Sequence, residues 1–319
     1  MKLPCIPWPH TDLEISPIAY GAMRFAPWGE RGRSPEWIKK AEVMVEACLE
    51  LGINFFDHAD IYGAGNCEQI FGQLLKAHPD WRSEMVLQTK CGIQTGERHC
   101  YNQTGSHIEE SINASLDRLA VEQIDVFLLH RPDPLIEPEV VAKAFAQARD
   151  AGKVRYFGVS NFSRYQMEYL QTALDAPLVA NQVELSLAQP WMFSEGVFIN
   201  RPEYKAVGVE GLVEYCGEKN VQIQAWSPLA GGALGEARKE ERSHMATLRD
   251  VLAEVVDETG LSAEAVQLSW MMKHPVGVVP VVGTQSTSRL RACAAAASTE
   301  LTDTQWWRLY KACLGRRLP

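Results

Sequence analysis

Short apolar runs alternate along this chain with longer segments whose apolar positions recur three and four apart. Segments starting near Ile15 and over residues 54–56, 85–90, 124–130, 154–160, 178–183, 221–226 and 276–282 read as strands. Between the first two, Trp37, Ala41, Met44, Val45, Cys48 and Leu51 share one face of a helix. Ser34-Pro35 supplies the N-cap and first turn of that helix, and Gly52 its end. Helical spacing returns over 67–76, 108–119, 140–148, 164–174, 209–219, 245–259, 264–273 and 287–297.

Eight strand–helix alternations imply a parallel sheet covered by helices. The strands are apolar on both faces, as such burial requires. No G-x-G-x-x-G follows the first strand, and no Pro/Gly/Ser-rich linker divides the chain. The expected fold is therefore α/β, a single (β/α)8 TIM barrel occupying residues 1–319 as one domain. An aromatic-rich segment at 302–315, with Trp306, Trp307 and Tyr310, reads as a helix added after the barrel. Segments 93–107 and 188–207 are longer than simple turns and are candidate lids.

Composition narrows the function classes. The net charge of −9 argues against a nucleic-acid or anionic-membrane surface. No apolar stretch is long enough to span a bilayer, and the N-terminus lacks a secretory apolar run. Eight cysteines without metal or redox spacing read as reduced, which points to the cytoplasm. A monomer acting on a small molecule is the expected state.

In a (β/α)8 barrel, chemistry collects at the C-terminal ends of the strands. Asp57 and Tyr62 lie beyond the second strand, Lys90 ends the third and His130 ends the fourth. Singly, each is ordinarily a cap or a hydrogen-bonded structural residue; four on three successive strand ends are not. Together they suit carbonyl reduction. Asp57 would hold Lys90, and His130 would orient a carbonyl oxygen. Tyr62 would give that oxygen a proton, helped toward its ionised form by the ammonium and imidazole. The hydride must come from a cofactor.

The pieces GINFFDHADIYG, VLQTKCG, IDVFLLHRPD, GKVRYFGVSNF, NQVELS, AWSPLAGG and VVPVVGTQSTSRLR resemble the aldo-keto reductase family, in order and in spacing, and most of all its bacterial members. The resemblance implies Asp57, Tyr62, Lys90 and His130 as the catalytic four, with Tyr62 the general acid. It implies that Ser160, Asn161 and Gln182 hold a nicotinamide carboxamide and that Trp226 stacks on the ring. Ser227, Pro228 and Leu229 would wrap the pyrophosphate. Gly283, Thr284 and Arg289 would meet the adenosine end. Arg289 is placed for a 2′-phosphate, which favours NADPH over NADH. Cys293 stands where many relatives carry an adenine-contacting Asn, and Gly283 where many carry Lys. Arg131 stands where many carry a bulky residue; it reads either as a surface salt bridge or as a cation selecting acidic substrates. Trp28 is either a substrate-pocket wall or packing. Trp191, with Met192 and Phe193, either lines the pocket or anchors its loop.

Two rivals follow from the same residues. One is a reductase-like barrel that holds nucleotide as a sensor or regulatory subunit. The other is a metal-dependent hydrolase ligated by His58, Asp60 and His130, which leaves Tyr62 and Lys90 without a role.

Overall fold

In the computed structural model, residues 2–27, 34–97, 99–198, 211–235 and 244–319 are described. Eight parallel strands close a barrel in chain order: β1 (Ala19–Gly21), β2 (Phe55–Asp57), β3 (Val86–Cys91), β4 (Ile124–Leu129), β5 (Val154–Ser160), β6 (Ala180–Glu184), β7 (Gln222–Trp226) and β8 (Val278–Val282), which pairs back to β1. This is the expected (β/α)8 TIM barrel, and the aromatic segment after it is the added helix Asp303–Leu314. That helix opens on a Thr302–Gln305 capping box and closes on Gly315 at φ 64°. The helix Pro35–Leu51 likewise carries the expected Ser34 cap, whose side chain accepts the Glu36 N–H, and ends at Gly52 with φ 78°.

Alternation along each strand sorts side chains between two compartments. Leu87, Phe127, Leu129, Phe157, Val159 and Ile223 point outward into the main core beneath the helices. Phe55, Val86, Val126, Leu128, Ala180 and Val279 form a second, smaller apolar cluster with Trp8, Leu13 and Ile15. That cluster fills the N-terminal end of the bore. Further along the same inward rows the residues turn polar: Asp57 follows Phe55 by two, and Gln88 and Lys90 follow Val86.

The segment near Ile15 is not the first barrel strand. Ile15 pairs with Ile6 in an N-terminal antiparallel hairpin that closes the barrel floor. Its Trp8 packs 5.0 Å from Phe55 and donates its indole N–H to Val179 O at 2.9 Å. Ile15 is apolar because it seals the floor, a reason that periodicity cannot separate from strand burial. The second strand runs one residue later than the hydrophobic run indicates and so includes Asp57. The helix expected over 287–297 is α-helical only over Thr287–Ala294, with a 3-10 turn Ala295–Ser298 after it. Residues 93–107 hold a hairpin, Ile93–Gln94 with Cys100–Tyr101, before the helix Gly105–Leu119 begins.

Candidate active site

Asp57, as the last residue of β2, and Lys90, one before the end of β3, stand on adjacent strands and face the bore. Both are buried, at 2% and 0% exposure. Lys90 Nζ donates to Asp57 Oδ1 at 2.7 Å, to Asp57 Oδ2 at 2.8 Å and to the His58 carbonyl at 2.6 Å. A buried ammonium needs such saturation, because desolvation alone favours its neutral form. Burial pulls Lys90 down, but the Asp57 carboxylate and Tyr62 phenol outweigh it, and the group lies above its ordinary range.

Tyr62 begins the 3-10 turn after β2, and its hydroxyl lies 3.2 Å from Lys90 Nζ. His130 follows β4, with its ring 6.0 Å from the Tyr62 ring and nearly perpendicular to it. The four residues named in the sequence thus stand in one neighbourhood. Their electrostatics differ from the expectation in one respect. Burial pushes the Tyr62 phenol above its ordinary value, against the pull of Lys90. His130 lies well below the ordinary histidine range through burial and the charges of Lys90 and Arg131, so its ring is neutral near pH 7 and lends the phenol no charge. Tyr62 is therefore held as the proton-bearing form, the form a general acid needs.

Above this group opens a cavity of about 700 Å³, within the ordinary range of small-molecule sites. Asp57, Tyr62 and His130 line it; Lys90 lies just beneath. Ser160, Asn161, Gln182, Trp226, Ser227, Pro228, Leu229, Gly283, Thr284, Arg289 and Arg131 line it as well. Asn161 Oδ1 accepts the Trp226 indole N–H at 2.9 Å, and Asn161 Nδ2 donates to Ser160 Oγ at 2.8 Å. Arg289 directs Nε to Glu264 at 3.0 Å and, among the described residues, makes no ion pair through its terminal nitrogens.

Arg131 forms no surface salt bridge with any described residue. Its guanidinium lies 5.7 Å over the Trp226 ring. Trp191 is not part of the cavity wall; it is 40% exposed on the turn after β6, while its neighbour Phe193 stacks on His274 and packs against Trp270. Cys293 is fully buried and also outside the wall, its thiol pushed by burial to about 12. Trp28 lies outside the described residues, as does part of the 188–207 segment.

The proposed metal ligands do not converge. The His58 ring meets Phe71 edge-on at 4.5 Å, and burial lowers it to about 3. Among the described residues, no three His, Cys, Asp or Glu side chains are grouped to hold a metal ion.

Sequence reasoning missed several lining residues. Arg24 donates to the Gly283 carbonyl at 2.8 Å, and Gln285 donates to Tyr20 Oη at 2.9 Å. Gln88 and Gln224 also escaped notice, deep in the bore. Their signal was available: each is polar, lies in an otherwise apolar strand and precedes by two a residue already singled out, Lys90 or Trp226.

Comparison with known proteins places these features in context. The family model described as Aldo/keto reductase family matches residues 17–313. The chain is 36% identical to the 6-dehydroglucose reductase of Agrobacterium fabrum, over 96% of this chain and 97% of that protein. It is 35% identical to the oxidoreductase YdhF of Escherichia coli, over 96% of each. The solved glycerol dehydrogenase AKR11B4 of Gluconobacter oxydans superposes with a TM-score of 0.82 at 22% identity, covering 100% of this chain and 98% of that one.

Proposed function

The chain belongs to the aldo/keto reductase family, and on that premise we propose that it reduces aldehyde or ketone carbonyls to alcohols with NADPH, using Tyr62 as general acid. The observation that carries this reading is the hydroxyl of Tyr62, 3.2 Å from a fully buried ammonium at the floor of the cavity. When bound, the dinucleotide supplies the hydride. The protein's own groups do the rest. Neutral His130 donates an N–H to the carbonyl oxygen and fixes its position. Tyr62 gives its proton to the same oxygen as negative charge develops there. Lys90 steadies the phenolate left behind, and Asp57 holds Lys90 in place.

The donor set suits the cofactor. Asn161 Oδ1 and Gln182 Oε1 are acceptors for the carboxamide, and Trp226 offers a flat ring beside them. Arg289, whose terminal nitrogens make no ion pair among the described residues, favours the 2′-phosphate and thus NADPH. The eight unpaired cysteines suit a reducing, cytoplasmic setting. The name 6-dehydroglucose reductase makes polyhydroxylated carbonyls the first substrates to try.

The test is Tyr62→Phe, assayed against a panel of aldehydes and ketones with NADPH and NADH. Cofactor binding should stay within about twofold while turnover falls by roughly 10²–10⁴. A variant that keeps a tenth or more of wild-type turnover removes Tyr62 from the role of acid.

A further inference from the structure

Around the Asp57 carboxylate, three buried amides fill the bore of the barrel, and two of them have no part in the scheme above. Gln88 on β3 stands in register with Asp57, and Gln224 on β7 stands in register with Gln182. None of the three glutamines exceeds 2% exposure. Gln88 and Gln224 bond reciprocally across the bore: Gln88 Nε2 donates to Gln224 Oε1 at 2.8 Å, and Gln224 Nε2 donates to Gln88 Oε1 at 2.9 Å. Gln88 Nε2 also donates to Asp57 Oδ1 at 2.6 Å. Gln182 Nε2 donates to that same carboxylate oxygen at 3.0 Å and to Gln224 Oε1 at 2.9 Å.

Only one orientation of the amides satisfies this ring. A carboxylate accepts and cannot donate, so Gln88 and Gln182 must both turn their NH₂ groups toward Asp57. Gln224 Oε1 then sits between two donors, and its own NH₂ must face Gln88 Oε1. Turning any amide over would set donor against donor, or oxygen against carboxylate, where no bulk solvent relieves the mismatch. The consequence falls on Gln182. Its nitrogen is committed twice, and its Oε1 takes no hydrogen bond from any described residue, on a side chain that lines the cavity.

We propose that Gln88 and Gln224 are positioning residues that, with the Asp57 carboxylate, hold Gln182 with its oxygen presented to the N–H of a nicotinamide carboxamide, and that they tie this recognition to the Asp57–Lys90 pair. The proposal rests on the dinucleotide reading above. It is tested by binding rather than turnover, following quenching of tryptophan fluorescence in the full chain. The probes are NADP⁺ and its 3-acetylpyridine analogue, whose methyl ketone has no N–H to donate. Wild type should bind NADP⁺ more tightly by up to roughly tenfold, the worth of one hydrogen bond. In Gln224→Leu, where Asp57 alone is left to hold the Gln182 nitrogen, and in Gln88→Leu, where Gln224 loses its reciprocal partner, the preference should fall to about threefold, chiefly through weaker NADP⁺ binding. A preference unchanged in the variants overturns the proposal, since mere loosening of the barrel would weaken both ligands alike. Wild type that binds neither probe would instead overturn the dinucleotide reading, so the two failures are distinct. Gln224→Met, closer in shape, replaces either variant that fails to fold.

Discussion

Lys90→Met removes the buried ammonium that faces Asp57 while nearly preserving side-chain volume, so its effect reads charge rather than packing. Lys90 Nζ makes four contacts within 3.2 Å, two of them to the Asp57 carboxylate. Removing one partner of a buried ion pair ordinarily costs about 3–5 kcal/mol, because the other charge is left uncompensated. Here Gln88 and Gln182 still donate to Asp57 Oδ1, which places the expected loss at the lower end, about 3 kcal/mol. Asp57→Asn in the Lys90→Met background removes the stranded charge but keeps an oxygen for both glutamines. The double variant should therefore recover about 2 kcal/mol over Lys90→Met alone. Urea unfolding at pH 7, with midpoint and slope compared across wild type, both single variants and the double variant, measures this coupling. If Lys90→Met costs less than about 1 kcal/mol, or if the double variant is no more stable than the single, the ion pair is not what holds this layer of the barrel. Turnover should be lost in Lys90→Met and in the double variant, since neither retains the ammonium beside Tyr62.

Two further outcomes follow from groups near the cavity. Burial and neighbouring Glu68 raise Asp60 to about 7, so the folded chain keeps this proton while the unfolded chain has lost it. Stability should accordingly fall as pH rises from about 4 to 7, and Asp60→Asn should stabilise by about 1–2 kcal/mol at pH 8 and little near pH 4. Thermal unfolding at the two pH values checks this, and an equal gain at both would refute it. Arg131→Met should raise KM for carboxylate- or phosphate-bearing aldehydes about tenfold while leaving neutral aldehydes within about twofold. Equal losses for both classes would return Arg131 to a packing role over Trp226.

The sequence disclosed the barrel because eight buried strands and their helices repeat one pattern, and Ser34, Gly52, Thr302 and Gly315 mark helix ends by local chemistry alone. It disclosed where Asp57, Tyr62, Lys90 and His130 fall because polar groups stand out at the ends of apolar runs. What escaped it needed distance across the fold. Trp8 and Ile15 form a floor only when the bore is there to be closed, and Gln88 meets Gln224 across the barrel, with three strands between them on either side. The direction in which the acidity of Tyr62 shifts escaped it for a related reason. Counting nearby positive groups ignores burial, which raises the phenol and neutralises the imidazole together.

The same geometry separates the residues that the fold needs from the one that it can spare. Asp57, Lys90 and the glutamines satisfy one another in the dry bore, so loss of any strands a charge or an amide. Tyr62 touches that network only through its hydroxyl, at 3.2 Å, the longest of the four Lys90 contacts. Lys90 keeps three shorter partners without it. Losing the phenol hydroxyl should thus remove chemistry at little cost in stability, whereas losing Lys90 should remove both. The acid occupies the one position in the cluster where the barrel can give up a proton, and take one back, without rearranging what holds it together.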